Sequence, residues 1–214
     1  MSETTKDKLL DTAERLFGEH GYDATSLRQI IAEAGVNLAA IHYHFGSKQE
    51  LLDEIIERQA GPVNAERMAQ IDRAEAEAAG EPMPVNKILG AFLTPMARAA
   101  QRRPQFVRLM GRIYAEGLMD SVLQRHFQGV SARFVAAMRR SLPHLSEEEF
   151  LWRMHFMVGA MAHTMCGSQD FTRVSEEPDG FSRRIEFLIR FLSGGFEAPA
   201  WQKAQTAANE VAYQ

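Results

Sequence analysis

Few residues of this chain are arranged to act on a bound substrate. His163 and Cys166 stand three apart and share one face of a helix, but two ligands do not make a zinc site, and no C-x-x-C or H-E-x-x-H accompanies them. The acidic run Glu147–Glu149 suits a helix N-terminus, where the helix dipole favours negative charge. No G-x-x-x-x-G-K-[ST], G-x-G-x-x-G or G-x-S-x-G occurs. The expectation is therefore a protein that is not an enzyme, with no metal and no cofactor.

Charge distribution says more. The 214 residues carry a net charge of −4, which argues weakly against nucleic acid as a partner. Residues 1–60 hold six cations against eleven acids, yet no acid lies between Glu33 and Glu50. Between 92 and 145, nine arginines face only Glu116 and Asp120. That excess is either a solvated face or the mark of an anionic ligand, a carboxylate or an acyl thioester, met by one or two of those arginines.

The elements that position these residues read as helices throughout, and the fold class predicted is all-α. Leu9, Ala13, Leu16 and Phe17 recur at helical spacing over 5–20. Thr25 or Ser26 caps a second helix through Glu33, and Gly35 allows a sharp turn. Asn37 caps a short third helix, Leu38–Phe45, with Ile41 and Phe45 inward. Ser47 caps a fourth helix, which Pro62 should kink or interrupt before the pattern resumes to Ala79. Further helices are predicted over about 85–102, 104–116, 119–142, 147–166 and 181–193. Ser146 and Glu149 form a capping box, and Gly194-Gly195 should end the last helix.

Three short helices with a glycine turn between the second and third describe a helix-turn-helix, whose third helix enters the DNA major groove. The run Ala13, Leu16-Phe17, Gly21-Tyr22, Thr25-Ser26, Ile30-Ile31, Ala34-Gly35-Val36 and Ile41-His42-Tyr43-His44-Phe45-Gly46-Ser47-Lys48 resembles the N-terminal domain of the TetR family of transcriptional regulators. The resemblance covers about 50 residues. It implies a homodimer on a palindromic double-stranded DNA operator, repressing until a small molecule binds the C-terminal part. Thr25 and Ser26 match positions that hold phosphate, and a hydroxyl at a helix N-terminus suits an anion. Arg28 matches a position that reaches a base or phosphate. Asn37, Leu38, Ala39 and Ala40 match the base-reading positions. His42, Tyr43 and His44 lie on the groove-facing helix, and Lys48 matches a backbone contact. Leu38 and Ala40 depart from the commoner pattern, Lys, Arg or Gln at the first and Thr at the second, so the recognition helix has no cation of its own. Activation rather than repression, or a helical small-molecule enzyme, are the competing readings.

The resulting division is residues 1–52 for DNA and 53–214 for effector binding and dimerisation. In the helix 147–166, Met154, Met157, Met161 and Met165 fall within about 80° of arc, and Trp152, Phe156, Gly159 and His163 within about 60° on the opposite side. A helix apolar on both faces is covered on both. The methionine face is assigned to a pocket and the other face to the dimer, joined there by Phe181, Ile185, Leu188 and Leu192. Pocket candidates are Phe92, Met96, Met110, Tyr114, Phe127, Met154, Met157 and Met161; thioethers adapt to apolar ligands of varied shape. The polar start MSETTKDK and the lack of any apolar run of about 18 residues predict no signal peptide, no membrane span and a cytoplasmic chain.

Overall fold

The computed structural model describes residues 4–37, 41, 43–166 and 180–201, with backbone only at Met165 and Cys166. Leu38, Ala39, Ala40, His42 and the Cys166 side chain therefore lie outside the description. Among the described residues every regular element is helical. The helices are α1 (Thr5–His20), α2 (Leu27–Ala34), α3 (Lys48–Ala78), α4 (Val85–Arg102), α5 (Pro104–Ala115), α6 (Met119–Val122), a π-helical turn Leu123–Phe127, α7 (Gln128–Ser141), α8 (Glu147–Cys166) and α9 (Gly180–Glu197).

Three local readings are corrected. α3 runs through Pro62 without a break, since buried Ala60, Arg67 and Ile71 tie its second half to the core on the same stripe as Ile55 and Ile56. Tertiary burial outweighs one missing backbone donor. The helix expected over 119–142 widens into a π turn at 123–127, a distortion that no periodicity reports. α9 continues past Gly194-Gly195 to Glu197, because Phe196 is a core residue and prolongs the inward stripe.

The last turn of α9 and residues 198–201 are held from a neighbouring helix. The Arg153 Nη1 of α8 donates to the carbonyls of Gly195 (3.0 Å), Phe196 (2.7 Å) and Ala198 (2.8 Å), and Nη2 to Pro199 (3.0 Å). Carbonyls of a last helical turn have no intrahelical donor, so one guanidinium does the work of a cap. Glu149 is drawn into this cluster. It accepts from Arg153 and from the Trp201 N–H at 3.1 Å, and Arg153 holds its carboxyl below the usual range. Only half of the expected capping box is thus made: Ser146 Oγ accepts from the Glu149 N–H at 3.2 Å, while the Glu149 carboxylate is spent on Arg153 and Trp201.

The arginine excess of 92–145 is largely answered by acids elsewhere. Arg98 pairs with Glu66, Arg103 with Asp11, Arg125 with Asp53, Arg133 with Asp72 and Glu75, Arg139 with Glu147, and Arg140 with Glu75. Most of these acids project from α3, so the pairs lace α3 to its neighbours.

Because Arg153 bonds four terminal carbonyls at once, Arg153→Ala is expected to lower the unfolding free energy by about 2–3 kcal/mol. Urea denaturation checks this; a loss below about 0.5 kcal/mol would mean water replaces the cap at no cost.

Candidate nucleic-acid interface and effector cavity

The N-terminal helices are set by caps and one close approach. Thr4 and Asp7 form a capping box on α1, and Ser47 and Glu50 another on α3. Ser26 is the N-cap of α2, its Oγ accepting from the Gln29 N–H at 3.2 Å. α2 ends at Gly35, whose φ of 65° and ψ of 34° lie in the left-handed region. Residues 41, 43 and 44 are helical, and the Phe45 N–H donates to the Ile41 carbonyl at 2.9 Å. Ile41 and Phe45 are buried with Leu9, Leu16, Phe17 and Ile30, as their four-residue spacing predicts.

This packing leaves the opposite face in solvent. Tyr43 is 85% exposed, with its ring edge against His44 at 5.0 Å. Ser26, Arg28 and Asn37 are exposed as well. Arg28 makes no ion pair among the described residues. Lys48 is half-buried, its ammonium 4.2 Å from the Tyr22 ring centroid, and burial lowers its pKa. Thr25 is corrected: it is wholly buried, and its hydroxyl donates to the Gly21 carbonyl at 2.7 Å. A hydroxyl has one proton, so this side chain has none for phosphate. Of the pair, the exposed hydroxyl is that of Ser26.

Behind α3 lies an apolar cavity that is open on one side. Phe92, Met96, Met110, Phe127 and Met161 line it as expected. Tyr114, Met154 and Met157 do not; Met157 is sealed in the core, 2% exposed. The spacing that puts Met154 and Met157 on the methionine face does not say which of them meets empty space. Sequence reasoning missed Ala60, Val63, Arg67, Ala99, Phe106, Val107, Met119, Leu123 and Ser131. Arg67 had a readable signal: it sits on the stripe Ala60–Val63–Arg67–Ile71, where an apolar residue would be ordinary.

Arg67 is 5% exposed. Its Nε donates to the Phe92 carbonyl at 2.8 Å, Nη1 donates to Asn64 Oδ1 at 3.1 Å, and the guanidinium lies 4.2 Å from the Phe92 ring centroid. Among the described residues no carboxylate pairs with it. Burial lowers its pKa from the ordinary arginine range to about 10. It therefore stays charged at neutral pH, at a folding cost on the order of 3 kcal/mol. The sign follows from the depressed value: the cost is full below pH 10 and fades only as pH rises above it.

Polar contacts lead from this arginine back to the N-terminal helices. Asn64 Nδ2 donates to the His126 carbonyl at 2.9 Å in the π turn. The His126 ring lies between two carboxylates of α3, Nε2 at 3.0 Å from Asp53 and Nδ1 at 3.2 Å from Glu57. Asp53 also accepts from Gln49 at 3.3 Å, and Gln49 takes a long 3.4 Å bond from the Tyr22 hydroxyl. A second link is Glu116, past the end of α5, whose carboxylate accepts from the Tyr22 N–H at 3.0 Å. It fills the space beside Gly21 (φ 94°), where an added Cβ would sit 2.0 Å from Glu116 Oε1.

The outer faces of α8 and α9 remain. Trp152 (54% exposed) and Phe156 stack at 5.9 Å, with His163 also exposed and Gly159 open enough that a Cβ there would meet nothing within 4 Å. The α9 residues assigned to a dimer are corrected. Ile185, Leu188 and Leu192 are buried against the chain's own core, and Phe181 is packed on it, so a partner could bury little more of them. The exposed apolar residues of α9 are Phe187 and Phe191. α9 carries two apolar stripes, and the longer one faces inward onto α4.

Known proteins share this architecture. Residues 9–55 match the family model described as "Bacterial regulatory proteins, tetR family", and residues 89–195 the one described as "Tetracyclin repressor-like, C-terminal domain". The HTH-type transcriptional regulator YttP of Bacillus subtilis is 39% identical over 56 residues, 26% of this chain and 27% of that protein. IcaR of Staphylococcus aureus, a negative transcriptional regulator of the biofilm operon icaADBC, is 39% identical over 51 residues, 24% of this chain and 27% of that protein. The chain thus matches about a quarter of the length of these relatives. Among solved structures, the fatty acid degradation regulator FadR from Bacillus halodurans superposes with a TM-score of 0.63 at 13% identity, covering 92% of this chain and 98% of that one. The TetR family regulator PfmR from Thermus thermophilus gives 0.60 at 22% identity, covering 95% and 100%. With both halves of the chain matched and the fold shared end to end, the chain belongs to the TetR family of transcriptional regulators.

Proposed function

We propose that the protein is a repressor that binds a palindromic operator as a homodimer and leaves it when a small effector, apolar or anionic, fills the cavity behind α3. One observation carries this reading: the helices that wall the cavity also brace the DNA-reading helices. α3 supplies Ala60, Val63 and Arg67 to the cavity and buries Leu51, Leu52 and Ile55 in the N-terminal part of the core. α5 supplies Phe106, Val107 and Met110 and packs on α1, where a Cβ at Gly18 would stand 3.4 Å from the Gln105 carbonyl. A ligand that parts α3 from α5 turns the N-terminal helices with them. In a dimer this changes the spacing of two recognition helices that must meet half-sites about 34–36 Å apart.

The DNA surface on this reading is Ser26, Arg28, Asn37, Tyr43, His44 and Lys48, with Leu38, Ala39, Ala40 and His42 added from the resemblance. Base reading leans on apolar contact and on Arg28 rather than on a cation of the recognition helix. The dimer surface is Trp152, Phe156, Gly159 and His163 of α8 with Phe187 and Phe191 of α9. Paired with its two-fold mate this makes a four-helix bundle, and large exposed aromatics are otherwise a liability in water.

Mobility shift on the DNA upstream of its own coding sequence tests the reading. Salt-dependent, sequence-selective retardation is expected, and none at any salt would refute it. Arg28→Ala and Tyr43→Ala are each expected to weaken operator binding by about 1–3 kcal/mol with the melting temperature unmoved, both side chains being exposed. Trp152→Glu with Phe156→Glu should give a monomer in sedimentation and lose most of the operator affinity; an unchanged dimer would move the interface elsewhere.

A further inference from the structure

We propose that the cavity binds an amphiphilic monocarboxylate, its carboxylate paired with Arg67 and its hydrocarbon body lying against Met96, Phe106 and Met161. The inference rests on reading the cavity as the effector site and names what that site takes.

The wall is almost wholly apolar, which asks for a hydrocarbon body. Within it stands one fixed cation. The arginines of the outer surface mostly reach an acid, but Arg67, the one that borders the cavity, has none among the described residues. A buried charge is normally paired, so an unpaired one beside a cavity marks the place of a missing counter-charge. The guanidinium is also oriented before any ligand arrives. Phe92 takes Nε and Asn64 takes one Nη1 hydrogen, which leaves the second Nη1 hydrogen and those of Nη2. No described residue takes the Nη2 hydrogens, and a guanidinium nitrogen with free hydrogens is a donor matched to a carboxylate oxygen. Ser131 lies on the same wall.

The charge count narrows the class. One cation in an apolar wall balances one negative charge; a dianion would bring an uncompensated charge into the same low-dielectric space, and a neutral ligand would leave Arg67 as it is. The same arginine touches Asn64, which holds the His126 carbonyl in the π turn, so the head group sits where the polar contacts toward α2 begin.

The test uses the full chain, with octanoate, decanoate and decanol as probes, in calorimetry and thermal melting without DNA. Decanoate is expected to raise the melting temperature by several degrees and to bind at least tenfold more tightly than decanol. Arg67→Met, after its own melting curve shows a cooperative transition, should lose that preference. If decanol binds as well as decanoate, or neither carboxylate binds, or Arg67→Met keeps the preference, the proposal is overturned. Should Arg67→Met fail to fold, the decanoate–decanol comparison on the unaltered chain still decides. A decanoate complex that leaves operator binding unchanged would uphold this site and refute its role as the effector site.

Discussion

One helix, α3, runs through the buried core from its N-terminal to its C-terminal part, and the rest of the arrangement depends on that continuity. Its 31 residues span about 45 Å at the usual rise. Leu51, Leu52, Ile55 and Ile56 are buried in its first half, and Ala60, Arg67 and Ile71 in its second. A continuous hydrogen-bonded helix cannot be displaced at one end without moving the other. Pro62, midway, removes a backbone donor at the junction of the two halves, yet packing on both sides keeps the helix whole. The acids of α3 add a second layer. Asp53, Glu57, Glu66, Asp72 and Glu75 take up His126 and the arginines of α4 and α7, so the negative face of α3 has a structural use. The net charge of the chain then says little about DNA, because most of its acids near the N-terminus are already paired, as in Arg58 with Asp11 and Glu14 and Arg15 with Glu19 and Glu33.

How much of this was legible in the sequence follows from the range of each interaction. Helix limits set by local chemistry were readable: Ser26, Ser47 and Gly35 act within four residues of themselves, and each does what its type predicts. So were Ile41 and Phe45, whose burial follows from a spacing of four. Thr25 was not, since a hydroxyl at a helix start suits either phosphate or a nearby carbonyl, and only the path of the α1–α2 turn puts Gly21 within its reach. The two stripes of α9 are alike in composition, and α4 decides which one is buried. Arg67 is the instructive case. The sequence places nine arginines between 92 and 145 and draws the eye there, yet charge counted along the chain ignores acids that return from another helix. The unpaired cation stood outside that cluster, visible only as an arginine on an apolar stripe.

Stability and response meet at that residue. A buried guanidinium without a counter-charge costs folding free energy that an apolar residue of similar size would not, and the cost is present at every physiological pH. Packing alone gives no reason to keep it, since Ala60, Val63 and Ile71 fill the same stripe without charge. Its neighbours give one. Arg67 contacts α4 through the Phe92 carbonyl and the π turn through Asn64, and both elements wall the cavity. A cation that ties together the walls while lacking a counter-charge is, on the proposed reading, satisfied best when an anion fills the cavity. On the proposed effector reading, the energy released by pairing it is available to shift α3 and α5 against each other, the two helices that pack on α1.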